Sequence, residues 1–432
     1  YVGVVGINYT ETTGTINTQR TDFTDTSTFT VASGKNITIN TNGYTIIKMS
    51  TTITNNGTLT INGGGLIRTN ATASSNEIQN LITNNGTLTI ANVTIENRGM
   101  TESDTRAILS NSGTINVNSG GIVRNNLGTG ASTTATNRAI IMLGNTNVII
   151  DGGTVSNTVS GQAIAGWNGT GTLTLKNNGT INGKNYAILL FGNSGGTSSA
   201  SVNIQSGTVI SSNASAIRLN ASAGLNTGAI TVSGGSIACS NGAGIYSEGT
   251  GNITVFGGAI IGSGGCGVQK TSTGTITITG GTVKSNSNSA VSCPNGTITI
   301  GDDSNTVVTG TPILQGVNGV GEAGTFNFYD GILKGSNGAI NGGPTEVNSK
   351  PSGYQVIYNK QTIDSVNYET AILSTADNYS VGNKHYATLA TAYVGVIGIN
   401  NTESRGTIKV ENGTAFEDDS SFAVESGKNI TI

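Results

Sequence analysis

The feature that most constrains this chain is a short unit that recurs along most of its length. It consists of a turn ending in Gly, then Thr-apolar-Thr-apolar, then Gly-Gly, a second apolar pair, a loop, and Ala-Ile or similar. Copies of the alternating part are Thr58-Leu59-Thr60-Ile61, Thr87-Leu88-Thr89-Ile90, Thr114-Ile115-Asn116-Val117, Thr172-Leu173-Thr174-Leu175 and Ser201-Val202-Asn203-Ile204. Further copies are Ala229 to Val232, Asn252 to Val255, Thr275 to Ile278, Thr297 to Ile300 and Thr325 to Phe328, with an irregular one at Asn147 to Ile150. Successive copies stand roughly 22 to 33 residues apart, a spacing at which solenoids repeat.

Alternation with period two places one set of side chains inward and the other outward. Each period holds three strand-like stretches, as in Thr275 to Ile278, Thr282-Val283 and Ala290-Val291. Three short strands joined by Gly/Asn/Ser corners predict an all-β chain wound as a parallel β-helix of roughly triangular section. Inward Ile, Val and Leu of successive coils then stack into one core, outward Thr and Asn stay solvated, and the backbone pairs with the coils on either side. Counting the N-terminal stretches Asn36 to Ile39, Tyr44 to Ile46 and Ile53, the repeat predicts about 11–13 coils, the main series alone being a rod on the order of 50 Å long at strand spacing. An antiparallel sandwich is the weaker alternative, because hairpins rarely give a self-similarity of about 25 residues.

Composition narrows the function classes. The chain has 432 residues with 65 Gly, 3 Cys, 1 His and a net charge of −3. Charged residues make up 10%, against about 25% in an ordinary soluble domain. So small a net charge argues against nucleic-acid binding through phosphate neutralisation. One His and three Cys leave little for a His/Cys metal cage or a His-based triad. Cys239, Cys266 and Cys293 are too few for a disulfide framework. They fall at different points of the local repeat, which favours three unpaired cysteines over one pair. The chain has no apolar run long enough to span a bilayer. It opens without an export signal and in mid-pattern.

A longer repeat lies over the short one. Tyr1-Val2-Gly3-Val4-Val5-Gly6-Ile7-Asn8 recurs as Tyr393-Val394-Gly395-Val396-Ile397-Gly398-Ile399-Asn400, displaced by 392 residues. Ser33-Gly34-Lys35-Asn36-Ile37-Thr38-Ile39 recurs as Ser426-Gly427-Lys428-Asn429-Ile430-Thr431-Ile432, displaced by 393. Two collinear blocks predict a tandem repeat of β-helical domains. Between the blocks Gly becomes scarcer and tyrosines gather: Tyr354, Tyr358, Tyr368, Tyr379, Tyr386 and Tyr393. Pro351-Ser352-Gly353 signals a turn. Tyr354 to Tyr358 and Val366 to Leu373 alternate as strands, and His385 to Ala392 is the one helix-like stretch. The expected organisation is a parallel β-helix over 1–344, a hairpin or meander joint over 345–378, and the start of the next repeat over 379–432, in which 393–432 repeats 1–39. A β-helix end exposes core and unpaired strand edge unless something covers it. Tyr354, Tyr358, Tyr368, Tyr386 and Tyr393 are the candidate residues of that joint.

Several motifs together carry a family resemblance: Tyr386-Ala387-Thr388-Leu389-Ala390, the Ser-Gly-Lys-Asn-Ile-Thr-Ile and Asn42-Gly43-Tyr44-Thr45-Ile46 opening coil, the Gly-Thr-Leu-Thr-Ile-x-Gly-Gly coils, and Pro351-Ser352-Gly353-Tyr354. Over nearly its whole length the chain resembles the pectate-lyase-like, right-handed parallel β-helix modules of large surface and adhesive proteins of Gram-positive bacteria. The resemblance implies the right-handed winding. It also implies a secreted, repetitive protein of the cell surface that serves in attachment or as a stalk. These motifs are structural and specify fold better than function.

Enzymes on this fold cleave acidic polysaccharides, which calls for clustered carboxylates with a basic partner. The adjacent acids are Asp302-Asp303 and Asp418-Asp419, the only His is His385 in the joint, and the other acids and arginines of the coils are scattered. Arg98 and Arg124 follow comparable strands of adjacent coils and are expected near Glu96, as ordinary surface charges. Asp302-Asp303-Ser304-Asn305 reads as a turn sooner than a calcium corner, which needs more oxygen ligands in one loop. Glycine runs such as Gly262 to Gly265 lack the Lys-Ser/Thr of a phosphate loop. Trp167 and Phe191 are candidates to stack on a sugar, beside loops 129–137 and 192–200. The outward Thr rows are too interrupted for an ice-binding array.

The favoured expectation is a non-enzymatic structural module of a tandem extracellular filament or stalk, held by stacked coils and end-to-end docking. Its partners are neighbouring copies of the same module. A carbohydrate- or host-binding adhesin is the alternative, with glycans as partners, and a polysaccharide lyase or hydrolase follows at a distance. No catalytic residue, metal or cofactor is expected, and no nucleic-acid partner or membrane insertion.

Overall fold

The structure is a computed structural model and describes residues 10–18, 21–48, 52–69, 80–98, 105–125, 137–159, 161–192, 195–221, 225–303, 309–341, 347–411 and 417–432. The chain is all-β, a parallel β-solenoid of about 14 turns with a small β meander at its C-terminal end. This is more than the 11–13 coils expected, because winding already begins at Thr13–Asn17, which pairs in parallel with Asn36–Asn40. Contacts divide the chain into two compact units, Tyr1–Asn252 and Ile253–Ile432.

In the first unit every turn contributes one strand to each of three sheets. The first sheet runs from Thr13–Asn17 through Thr58–Asn62 and Thr87–Ile90 to Ile230–Val232, each strand parallel to the next. Its alternating sequence produces the core directly. Leu59, Leu88, Ile115, Val148 and Leu173 lie in register and are fully buried, as are Ile61, Ile90, Val117, Ile150 and Leu175. Thr60 and Thr89 between them face outward and are half-buried. The second sheet stacks Ile67, Ile95, Val123, Val155 and Ile181. The third stacks Ile82, Ile108, Ile140, Ile164 and Ile188.

The corners are where the expectation of solvated asparagines fails. Asn97, Asn125 and Asn157 close strands of the second sheet with their side chains turned inward, fully buried. Their amides bond to backbone carbonyls at the start of third-sheet strands: Asn97 Nδ2 to Arg106 O at 2.7 Å and Asn125 Nδ2 to Arg138 O at 3.1 Å in the strand that follows, and Asn157 Nδ2 back to Asn137 O of the preceding turn at 2.7 Å. A second series joins Asn55 Nδ2 to Asn84 Oδ1 at 2.8 Å and Asn84 Nδ2 to Ser110 Oγ at 3.1 Å. Asn137 O already accepts from Gln162 N of the next turn, so a carbonyl at this corner has a second lone pair open to a further donor. A short amide supplies it.

The second unit is wound in the same manner, with its own rungs, Ile253, Ile276, Ile298 and Phe326 in one row and Val255, Ile278, Ile300 and Phe328 beside it. Phe326 and Phe328 widen the final rung, their rings 5.9 Å apart. The parallel stack ends at Ile332–Ile340. There the strand Val366–Ser374 pairs antiparallel to Leu333–Gly335 and, across a turn at Asp364-Ser365, to Gln355–Ile363. Both turn residues take positive φ, 49° and 65°, as a tight hairpin with right-handed strand twist requires. Asp364 and Ser365 tolerate it because their short polar side chains can bond locally. These strands include all of the expected Val366 to Leu373 and all but Tyr354 of the expected Tyr354 to Tyr358, and both run further. A smaller hairpin, Tyr379–Val381 with Lys384–Tyr386, follows.

The helix spans Leu389–Ile397, four residues downstream of the expected His385 to Ala392. Thr388 sets its start, with extended backbone and its hydroxyl accepting from Thr391 N at 3.2 Å, while Thr391 Oγ1 accepts from Thr388 N. The second half of the helix, Tyr393 to Ile397, is the part that repeats residues 1–5. Residues 1–9 lie outside the described residues.

Candidate docking joint

The helix brings together groups that the sequence scatters from Tyr358 to Ile430. Tyr379, Tyr386, Ala392, Tyr393, Val396, Ile397 and Ile408 form one buried cluster, with Tyr358, Phe422 and Ile430 packed against it. Tyr393 stacks on Phe422 with ring centres 5.0 Å apart, and Tyr358 lies 6.4 Å from Tyr386. The Tyr386 ring lies directly over Gly395, where a Cβ would stand 2.4 Å from Cζ. Tyr368 stands outside this cluster, its hydroxyl accepting from Gln315 Nε2 at 3.1 Å. Tyr354 follows the Pro351 turn, half-buried and also outside the cluster.

Polar contacts fix the same joint. A helix start leaves four N–H groups without intrahelical partners. Leu389 N donates to Asp418 Oδ2 at 2.7 Å, Ala390 N to Ser420 Oγ at 3.3 Å, and Thr391 N to Thr388 Oγ1. Tyr393 Oη accepts from Glu425 N at 3.1 Å. Asp418 and Ser420 lie 29 and 30 residues beyond the groups they cap, so proximity in sequence carried no signal of them.

Burial by itself would raise the Asp418 pKa. Hydrogen bonds from Ser420, Leu389 N and the Tyr379 hydroxyl outweigh it and hold the carboxyl at about 2, below its ordinary 3.8. The folded joint therefore favours the carboxylate. Its contribution is complete above about pH 4 and is lost as pH falls through about 2. Asp418→Ala is expected to weaken the joint by about 1 kcal/mol, the ordinary worth of a helix cap. Asp418→Ala is also expected to flatten the acid limb of the joint's opening followed by amide exchange. An acid limb unchanged in the variant would show that another group titrates there.

The coil seated on the helix is a second copy of the first coil of the chain. Arg405–Thr407 pairs in parallel with Asn429–Thr431, with Gly406 opposite Ile430, just as Gly14 stands opposite Ile37. Asn429 N donates to Ser404 O at 2.8 Å and Asn36 N to Thr12 O at 2.7 Å. Lys428 N donates to Glu425 O, and Lys35 N to Ala32 O, both at 3.1 Å. Lys428 Nζ reaches Glu403 O, and Lys35 Nζ reaches Glu11 O. Asp418 Oδ1 accepts from Ser420 N at 2.9 Å, and its counterpart Asp25 Oδ1 accepts from Ser27 N at 2.8 Å.

No protein-family model, curated protein or solved structure matches the chain.

The remaining candidate residues have these places. Trp167 and Phe191 end neighbouring third-sheet strands in register, with ring centres 5.7 Å apart. Trp167 already carries the Arg138 guanidinium 5.4 Å from its ring centre. Of loops 129–137 and 192–200, positions 129–136 and 193–194 lie outside the described residues. Glu96 does meet Arg98 and Arg124, at 3.1 and 3.2 Å, but its side chain is 1% exposed, so it is a buried carboxylate covered by two half-buried arginines and not a solvated surface charge. Asp330 accepts from Thr309 N, Gly310 N and Gly331 N at 2.8, 2.8 and 2.6 Å and so closes a corner. Asp151 pairs with Lys176 at 3.1 Å and Glu248 with Arg218 at 2.8 Å. His385 Nδ1 lies 2.9 Å from Asp377 Oδ1. Asp302 and Asp303 are exposed, and their neighbours Ser304 and Asn305 are outside the described residues. Among the described residues no three His, Cys, Asp or Glu converge as metal ligands, and no helix is long and apolar enough to cross a membrane. Cys239, Cys266 and Cys293 are free and buried, and burial raises all three thiol pKa values, that of Cys266 to about 11. Such thiols are poor nucleophiles.

Proposed function

We propose that this chain is a non-enzymatic structural module of a tandem array, in which one β-helical repeat docks end to end on the next. The observation that supports this reading is the second copy of the opening coil, held by the same pairing and the same lysine-to-carbonyl contacts as the first and seated on a dedicated helix. A solenoid gains stability from nearest-neighbour interfaces, and its exposed ends are its weakest parts. A joint that covers one repeat's end with the next repeat's first turn removes that weakness at each boundary. On this reading the protein is a filament or stalk of a bacterial cell surface, and its partners are further copies of itself. The likeness of its motifs to the pectate-lyase-like surface modules of Gram-positive bacteria supports the extracellular setting.

Lengthening the array tests the proposal. A chain carrying two full repeats is expected to melt higher than the 432-residue chain, by about 1 °C for each kcal/mol of interface gained, since the shift falls as the unfolding entropy grows with length. Identical melting, with the two repeats unfolding independently, would overturn it.

A further inference from the structure

The first turn of the second copy takes its support from elements that belong to no winding. In the coils a strand pairs in parallel with the turns beside it. Lys409–Val410 instead pairs antiparallel to Tyr379–Val381, with Val410 opposite Tyr379 and Lys409 opposite Ser380. Glu411 N donates to Asn378 O at 2.9 Å, and Ser380 Oγ donates to Glu411 Oε1 at 2.5 Å. The helix start adds the N–H groups of Leu389 and Ala390, which hold Asp418 and Ser420. The helix face adds the apolar floor on which Ile408, Phe422 and Ile430 pack. A strand edge, a helix start and an aromatic floor thus stand where an ordinary turn has the turn before it.

This template is built from contacts close in sequence. Tyr379–Val381 and Lys384–Tyr386 pair across Gly382-Asn383, with Gly382 at φ 61°, and the helix with its capping box begins at Leu389. Hairpins and helices of this size form within about ten microseconds. A turn of the solenoid, such as Leu88 to Ile115, must close a loop of 27 residues, and it has no ladder until a neighbour exists. A row of like turns can nucleate at any of them, so a template that is already formed decides which turn goes first.

We propose that the hairpin and helix Tyr379–Ile397 are the folding nucleus of the repeat that follows them. They form first, the turn that pairs Arg405–Thr407 with Asn429–Thr431 condenses on them, and later turns add to that one in order. The proposal rests on the tandem reading above and adds the order of events to it.

The test is a two-repeat chain, the 432 residues followed by a second copy of residues 40–432. Trp167 is the only tryptophan of the chain, so Trp167→Phe in the first repeat leaves the second repeat as the one that reports by fluorescence. Refolding and unfolding are followed in urea. Tyr393→Ala at the joint between the repeats is expected to slow refolding of the second repeat at least tenfold and to change its unfolding less than threefold, as for a contact already made in the transition state. Ile115→Ala in the second repeat is expected to speed unfolding and to leave refolding nearly unchanged. Should Tyr393→Ala leave the second repeat unfolded, Asp418→Ala replaces it, with refolding slowed about fivefold, the ordinary worth of a helix cap expressed as a rate. Joint variants that speed unfolding and leave refolding unchanged overturn the proposal, as does an Ile115→Ala variant that refolds as slowly as they do. A two-repeat chain that melts higher while the joint variants act on unfolding alone removes the nucleus and leaves the array. Repeats that melt independently and refold alike with or without the Tyr393 ring remove both.

Discussion

Replacing Ile115 with alanine is expected to cost about 3 kcal/mol, the usual price of truncating a buried branched aliphatic side chain. Ile115 is fully buried and stands in register between Leu88 and Val148, so the cavity opens to two rungs at once. The adjacent outward residue makes the contrast. Asn116 has one long bond, 3.4 Å to Thr89 Oγ1, and Asn116→Ala is expected to fall within about 0.5 kcal/mol of the parent chain. Urea unfolding of the two variants measures both. Amide exchange should also speed up in Thr87–Ile90 and Thr146–Asp151 ahead of Ser201–Ile204, since each turn supports chiefly its neighbours. Equal losses from the inward and outward substitutions would mean that the rung is not the unit of stability.

Tyr393→Ala is expected to loosen the joint by about 3–4 kcal/mol, the range for removing a buried aromatic ring. It removes the stack on Phe422 and the acceptor for Glu425 N together. Tyr393→Phe keeps the ring and is expected to cost only about 1 kcal/mol, the net worth of a hydrogen bond. The readout is local. Exchange at Ile408 and Ile430 should rise in Tyr393→Ala while the rung of Ile276 and Ile298 keeps its protection. If the alanine variant left Ile408 as protected as before, the helix would not be what holds that coil.

The winding was legible because its signal is repeated and redundant. In Thr87-Leu88-Thr89-Ile90 alternation alone decides which face is buried, and ten other copies say the same. The inward asparagines were not legible. Asn ordinarily marks turns, and only the fold, which brings the carbonyls of Arg106 and Arg138 beside them, gives Asn97 and Asn125 their task. The joint was half legible. The tyrosine cluster and the duplicated blocks marked its position, but the helix was placed too early. Tyr393 to Ile397 is rich in β-branched residues and carries a glycine, so its local preference is weak, and the Thr388 cap together with packing on Tyr386 decides its conformation. Asp418 acts from 29 residues away, a distance over which a single sequence shows no coupling. Glu96 was foreseen beside its arginines, but its burial depends on neighbouring turns that pattern reading does not supply.

The inward asparagine amides have a consequence for how such a chain changes length over evolutionary time. Asn97 and Asn125 find their carbonyls at the start of the next strand of their own turn and Asn157 reaches back to Asn137 in the turn before, so an insertion that stops part-way round a turn separates a buried donor from its acceptor. Growth and shrinkage are then confined to whole circuits of the winding, added or deleted as units, while the outer loops remain free to drift.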